Sequence, residues 1–199
     1  CIDLSTGTGT ESPPAGTVWI DTFTEAVTAD LGDHIPDVSP GGAGYIVTAG
    51  TWSVISPLNK AFTGSAFSTF TFDPGLTGSV TMQFDIELES TATGDNFSIT
   101  WLTPNALQFS LTKTASIDTW LLSVSDTGDS DTIGVTIQDS PSTYTIIITC
   151  TPSLVSIFVN AATAQIVPVA GDLSNSEITF SATFTGGGTI TLDNLTLTG

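Results

Sequence analysis

The stretch STYTIIITCTPSLVSIFVN, from Ser142 to Asn160, decides the fold class of this chain. Tyr144, Ile146, Ile148 and Cys150 alternate with Thr143, Thr145, Thr149 and Thr151, so one face is apolar and the other polar. A strand sends successive side chains to opposite faces, and this alternation predicts a half-buried antiparallel strand. Val155, Ile157 and Val159 repeat the pattern after Thr151-Pro152-Ser153. Proline donates no backbone hydrogen bond and holds one dihedral, which suits the tip of a hairpin and not the inside of a sheet. The expectation is a hairpin at the centre of an all-β domain.

Working outward, Ser79 to Glu89 is the most regular segment. Val80, Met82, Phe84, Ile86 and Leu88 fall on one face, and Thr81, Gln83, Asp85, Glu87 and Glu89 on the other. Further strands are expected at Thr17–Phe23, Tyr45–Thr48, around Thr51–Ile55, Phe67–Phe72, Phe97–Leu102, Leu107–Lys113, Trp120–Ser125, Ile133–Gln138, Gln165–Val169 and Ile178–Phe184. Asp73-Pro74-Gly75 and Gly186-Gly187-Gly188 carry turn chemistry between them. In the last strand Ile190 and Leu192 share one parity while Leu195 and Leu197 have the other. One extra residue near Asp193-Asn194 would bring all four to the core, so a β-bulge is expected there. Short strands at regular spacing, divided by Gly, Pro and Asx turns, mean a sandwich or barrel. Residues 1–16, rich in Thr, Gly, Ser and Pro, are expected to be a flexible arm, with one domain over 17–199.

Charge excludes several function classes. Twenty acidic residues face two basic ones, Lys60 and Lys113, for a net charge of −18 at pH 7. Such a surface repels phosphate backbones and anionic membranes, so neither nucleic acid nor membrane is an expected partner. No apolar run reaches the ~20 residues of a membrane helix. Cys150 shares the face of Ile146 and Ile148 and is expected as a buried free thiol.

Three segments together carry a family resemblance: Trp19-Ile20-Asp21-Thr22-Phe23-Thr24 with Leu31, His34-Ile35-Pro36-Asp37, and Gly50-Thr51-Trp52-Ser53-Val54. They resemble the opening of concanavalin A-like (laminin G-like) jelly-roll domains of the kind found in tailed-phage structural proteins. Ile157-Phe158-Val159-Asn160 and Thr191-Leu192-Asp193-Asn194-Leu195 resemble the penultimate hairpin and closing strand of such domains. The resemblance implies a two-sheet antiparallel β-sandwich of jelly-roll type. It implies a non-enzymatic virion surface protein, a capsid decoration or a tail or fibre appendage. The expected partners are virion shell or tail proteins, a second copy of the chain in a homo-oligomer, and a host surface glycan. The alternative is an extracellular carbohydrate-binding module, and a third reading is a glucanase.

The residues offer three candidate sites. Asp85, Glu87 and Glu89 place carboxylates on one strand face, about 6.5–7 Å apart from i to i+2. Laminarinase-type glucanases share the jelly roll and carry Glu-x-Asp-x-Glu on one strand; Asp-x-Glu-x-Glu here inverts the first two, and no catalytic residue is expected. Trp101 and Trp120 are the expected glycan platforms, because ring faces pair with the apolar faces of sugars. Asp126, Asp129 and Asp131 cluster in a turn that would suit calcium, an oxygen-seeking cation. His34 is the only histidine, which excludes a second catalytic His elsewhere. It is expected to anchor its loop through hydrogen bonds.

Overall fold

In a computed structural model the chain forms two antiparallel sheets facing each other. The structure describes residues 17–24, 30–55, 60–76, 78–101, 107–115, 119–125, 130–139, 142–151, 154–160, 162–168 and 177–199. The expected arm, residues 1–16, lies outside them.

The strands are β1 (Thr17–Asp21), β2 (Ile46–Ala49), β3 (Ser53–Ile55), β4 (Lys60–Thr63), β5 (Phe67–Phe72), β6 (Val80–Ser90), β7 (Asn96–Trp101) and β8 (Leu107–Lys113). They continue with β9 (Thr119–Ser125), β10 (Ser130–Gln138), β11 (Tyr144–Thr151), β12 (Leu154–Val159), β13 (Ala162–Pro168), β14 (Ile178–Thr183) and β15 (Gly188–Thr198). Short 3-10 turns occupy Leu31–Asp33 and Pro40–Gly42. One sheet runs β13-β12-β11-β6-β15-β4-β3, with β1 also paired to β15; the other runs β10-β9-β8-β7-β14-β5-β2. This is the expected jelly-roll sandwich.

The hairpin of β11 and β12 pairs Ile148 with Ile157 and Cys150 with Val155. It lies to one side of its sheet, because β6 and β15 take the middle. β6 is long and apolar on its inner face from Val80 to Leu88, so it can be flanked on both edges. The short strand β4, which no strong alternation announces, pairs with the first half of β15.

The predicted bulge is present. Asp193 opposes Asp85 and Thr196 opposes Gln83, so two residues of β15 face one of β6. Asn194 takes the left-handed conformation, φ 51°, and Ile190, Leu192, Leu195 and Leu197 all become buried. The bulge also marks where β15 exchanges its outer partner, from β4 over Ile190–Leu192 to β1 over Leu195–Thr198.

The two inner faces meet in a mostly aliphatic and aromatic core. Phe180 of β14 stacks on Phe70 at 4.9 Å and meets Phe84 of the opposite sheet edge-on at 5.9 Å. Each such buried side chain contributes roughly 1.5–3 kcal/mol. Gly50, at φ +64°, sits against β5: a Cβ there would lie 2.1 Å from the Phe67 carbonyl oxygen. Only glycine allows that approach, which holds the start of β5 beside the β2–β3 turn.

Candidate functional site

With the inner faces committed to the core, chemistry is left to the two outward faces and the loops. The outward faces differ sharply in kind. On the eight-stranded sheet β6 presents Asp85, Glu87 and Glu89, as the alternation requires. Asp193 of β15 stands directly opposite Asp85. Thr145 Oγ1 and Asn194 Nδ2 donate to the two Asp85 oxygens at 2.6 and 2.8 Å. Lys60 Nζ reaches Glu87 Oε1 at 2.6 Å, and Thr143 Oγ1 donates to the same oxygen at 2.7 Å. Burial pushes the Glu87 carboxyl up, but the bonds from Lys60 and Thr143 and the lysine charge outweigh it and hold it below its usual range. Asp193 moves the other way: burial, helped by the charges of Asp85 and Asp21, raises it despite the Asn194 amide and Lys60.

The outward face of the seven-stranded sheet is built of hydroxyls and amides. Thr71, Thr179, Thr100, Gln108 and Ser125 form one cross-strand row, and Thr69, Ser181, Ser98, Ser110 and Ser123 form the next. A third row holds Phe67, Thr183, Asn96, Thr112 and Leu121. The rows arise because β5, β14, β7, β8 and β9 all alternate in register, mostly apolar inward and, apart from Phe67 and Leu121, Ser, Thr, Asn or Gln outward. Neighbours bond along them: Ser110 and Ser123 hydroxyls lie 2.7 Å apart, Thr69 and Ser181 3.2 Å, and Asn96 Nδ2 donates to Thr112 Oγ1 at 2.9 Å. Those fifteen positions carry no charged side chain. Phe67 at the end of the third row is 54% exposed, a large ring left open to solvent.

A cleft of roughly 460 Å³ opens beside the first row and includes Thr71 in its wall. Tyr45, His34 and Phe72 line it, with Gly42, Ala43 and Gly44, and Ile35 and Ile46 form an apolar rim, 66% and 63% exposed. Asp73 and Glu177 also line it; they follow Phe72 and precede Ile178, which are register partners. Behind the wall lies a buried polar network. Asp21 accepts from His34 Nε2 at 2.9 Å, from the Tyr45 hydroxyl at 2.8 Å and from the Phe23 amide at 2.8 Å. Because the carboxylate only accepts, the His34 proton sits on Nε2. Trp19 Nε1 donates to the Tyr45 oxygen at 3.2 Å. Burial, then the Asp21 charge, raises the Tyr45 phenol well above its usual range, so it stays protonated and donating. His34 does anchor its loop, as expected.

The expected glycan platforms are corrected by their burial. Trp101 is 1% exposed and Trp120 0%. Trp101 shares the inward parity of Phe97 and Ile99, and Trp120 that of Leu122 and Val124, so the alternation that makes them strand residues turns them into the core. Trp120 Nε1 donates to Asp139 Oδ1 at 2.5 Å, and Lys113, whose ammonium lies 5.7 Å from that ring centre, also bonds Asp139. The exposed aromatic is Phe67 instead, whose signal was its place at the start of an alternating run. Of the expected calcium ligands, Asp126, Asp129 and the side chain of Asp131 lie outside the described residues. Among the described residues no group of three or more His, Cys, Asp or Glu is arranged to hold a metal. Asp193 was not foreseen as a companion of Asp85, because only the pairing of β15 with β6, strands far apart in the chain, sets the two opposite each other.

No protein-family model and no curated protein matches the sequence. Solved structures do match in shape. An apo Crh5 transglycosylase superposes with a TM-score of 0.65 at 12% identity, over 93% of this chain and 85% of that one. A β-glucanase of Bacillus licheniformis gives 0.61 at 9% identity, over 88% and 99%. A carbohydrate-binding module from Bacillus subtilis gives 0.52 at 12% identity, over 78% and 95%. The fold is the concanavalin-like jelly roll. These relatives in fold comprise both glycan-acting enzymes and a binding module, and none carries a phage context.

Proposed function

We propose that this chain is an extracellular carbohydrate-binding β-sandwich whose glycan lies on the outward face of the seven-stranded sheet. The observation that carries the reading is the pairing, on one face, of an exposed Phe67 ring with three rows of uncharged hydroxyl and amide groups. Sugars need both: an aromatic face for their C–H groups and neutral donors and acceptors for their hydroxyls. The charge distribution agrees. Both lysines, the whole of the Lys and Arg complement, are in ion pairs, Lys60 with Glu87 and Lys113 with Asp139, which leaves neither lysine unpaired for a uronate or sulfate. The carbohydrate-binding module and the glycan-acting enzymes among the relatives in fold favour this alternative over the expected virion role.

The experiment is affinity electrophoresis and calorimetry against a panel of polysaccharides, with Phe67→Ala as the variant. Retardation by at least one glycan is expected, weakened about tenfold by the substitution, the usual effect of removing an aromatic anchor worth ~1.4 kcal/mol. Binding that is indifferent to Phe67 would move the site off this face.

A second reading, a glycosidase, rests on Asp193 and Asp85 facing each other on the outward face of the other sheet. A pair of carboxyls at short range is what glycoside hydrolysis uses. Release of reducing ends from a polysaccharide, abolished in Asp193→Asn and Asp85→Asn, would establish it. Turnover unchanged in both variants would remove it.

A further inference from the structure

We propose that Lys113 and Asp139 become joined by an amide between their side chains, a covalent crosslink that fastens the outermost hairpin of the seven-stranded sheet. The inference does not depend on which face binds a glycan.

Strand parity brings the reacting groups together. Lys113 ends β8 on the inward parity of Leu107, Phe109 and Leu111, so its side chain turns into the sandwich. Trp120 of β9 is its register partner, and Ile137 of β10 is the next across. Asp139 shares the parity of Ile137 and stands just past the end of β10. The Lys113 and Asp139 side chains are only 5% and 10% exposed. The ammonium bonds Asp139 Oδ2, and Trp120 Nε1 donates to Oδ1 at 2.5 Å. The ammonium also sits over the Trp120 ring, 5.7 Å from its centre. From behind, the Lys113 backbone is held by its amide bond to the Asp95 carbonyl at 2.8 Å. Among the described residues no other carboxylate is paired with this ammonium.

Burying an ammonium and a carboxylate costs hydration that their mutual attraction repays poorly. An amide removes both charges and releases one water, so the buried site favours the condensed form. The step balances without a further reagent. One proton passes from Nζ to Oδ2, which leaves an amine beside a carboxylic acid. Nζ then adds to Cγ, and the charge that develops on Oδ1 meets the Trp120 N–H already aimed at it. A second proton moves from Nζ to the Oδ2 hydroxyl, the Cγ–Oδ2 bond breaks, and water leaves. Fixed contact makes the condensation a reaction within one molecule, where proximity lowers the barrier. Lys60 supplies the contrast. Its pair with Glu87 is 18% and 22% exposed, and Thr143 donates to the same Glu87 oxygen that Lys60 holds. β10 has β9 as its only neighbour in the sheet, so the link would tie the end of this edge strand back to β8.

The test is the mass of the full chain, purified in its folded state as circular dichroism verifies, and then denatured for mass spectrometry. The expected mass is one water below that of the sequence. Proteolysis should yield one branched peptide that contains Lys113 and Asp139, and none that joins Lys60 to Glu87. Lys113→Arg and Asp139→Ala should each restore the full mass, and the linked wild-type chain should migrate differently from both in a denaturing gel. Folded wild-type protein of full mass overturns the inference, as does a branched peptide joining any other pair. A deficit that persists in Lys113→Arg, or that hydroxylamine removes, is a cyclic imide elsewhere and overturns it too. Should either variant fail to fold, the wild-type mass and its branched peptide decide alone.

Discussion

At the scale of single residues, the buried polar groups carry the sharpest expectations. Asp21, 1% exposed, is the acceptor for His34, Tyr45 and the Phe23 amide. Asp21→Ala leaves three buried donors without their acceptor and should cost about 3–5 kcal/mol in chemical denaturation. A loss under ~1 kcal/mol would mean that water takes over the role. Cys150 lies in the core, and desolvation pushes its thiol up to about 12, far from the thiolate that reacts. It should resist thiol reagents at mildly alkaline pH in the native protein and react at once in denaturant. Rapid labelling of native Cys150 would contradict its placement on the inner face of β11. Phe67 shows the converse, a large apolar residue left exposed on the outward parity of β5.

At the scale of elements, β15 is where one residue organises two sheet edges. Asn194 at φ 51° lets the bulge form, and its side chain bonds Asp85. Asn194→Val puts a β-branched residue in the left-handed region and removes that bond, so a loss of roughly 1–2 kcal/mol is expected from the backbone alone. Asn194→Gly, by contrast, should come within a fraction of that, and a denaturation series on the two variants checks it. The carboxyls flanking the bulge give a pH dependence of opposite signs. Asp193 is raised when folded, so its contribution is present below the unfolded pKa and lost as pH rises through the folded one. Glu87 is lowered, so its contribution is present above the unfolded pKa and lost as pH falls through the folded one. Asp193→Asn should therefore raise the melting temperature at neutral pH, and Glu87→Gln lower it, with both differences shrinking in acid. Melting curves across pH that show the same sign for the two variants would refute this assignment.

At the scale of the whole molecule, the sandwich divides its two outward faces by chemistry, acidic along β6 of the eight-stranded sheet and neutral along the three described rows of the seven-stranded one. A chain with a net charge of −18 repels itself, and added salt screens that repulsion. The melting temperature should rise as sodium chloride is added from low ionic strength, before any specific ligand is present. A flat or falling curve would mean that the ion pairs of Lys60 and Lys113, which salt weakens, outweigh the general repulsion.

Strand content, the sandwich class, the inner faces of β6, β11 and β12 and the bulge at Asp193-Asn194 were all readable in the sequence. Each is a matter of local alternation, and a period of two is enough to say which side chains share a face. The alternation does not say which face meets which neighbour, and there the tertiary structure decided. Trp101 and Trp120 entered the core because their inward parity met a second apolar sheet, while Phe67 stayed outside on the opposite parity of β5. Asp193 joined Asp85, Lys60 reached Glu87, and Asp73 and Glu177 came to one cleft only through pairings between strands far apart in the chain. Charge and alternation are properties of the chain read along its length; a binding face is a property of register across strands, and register exists only once the sheets have formed.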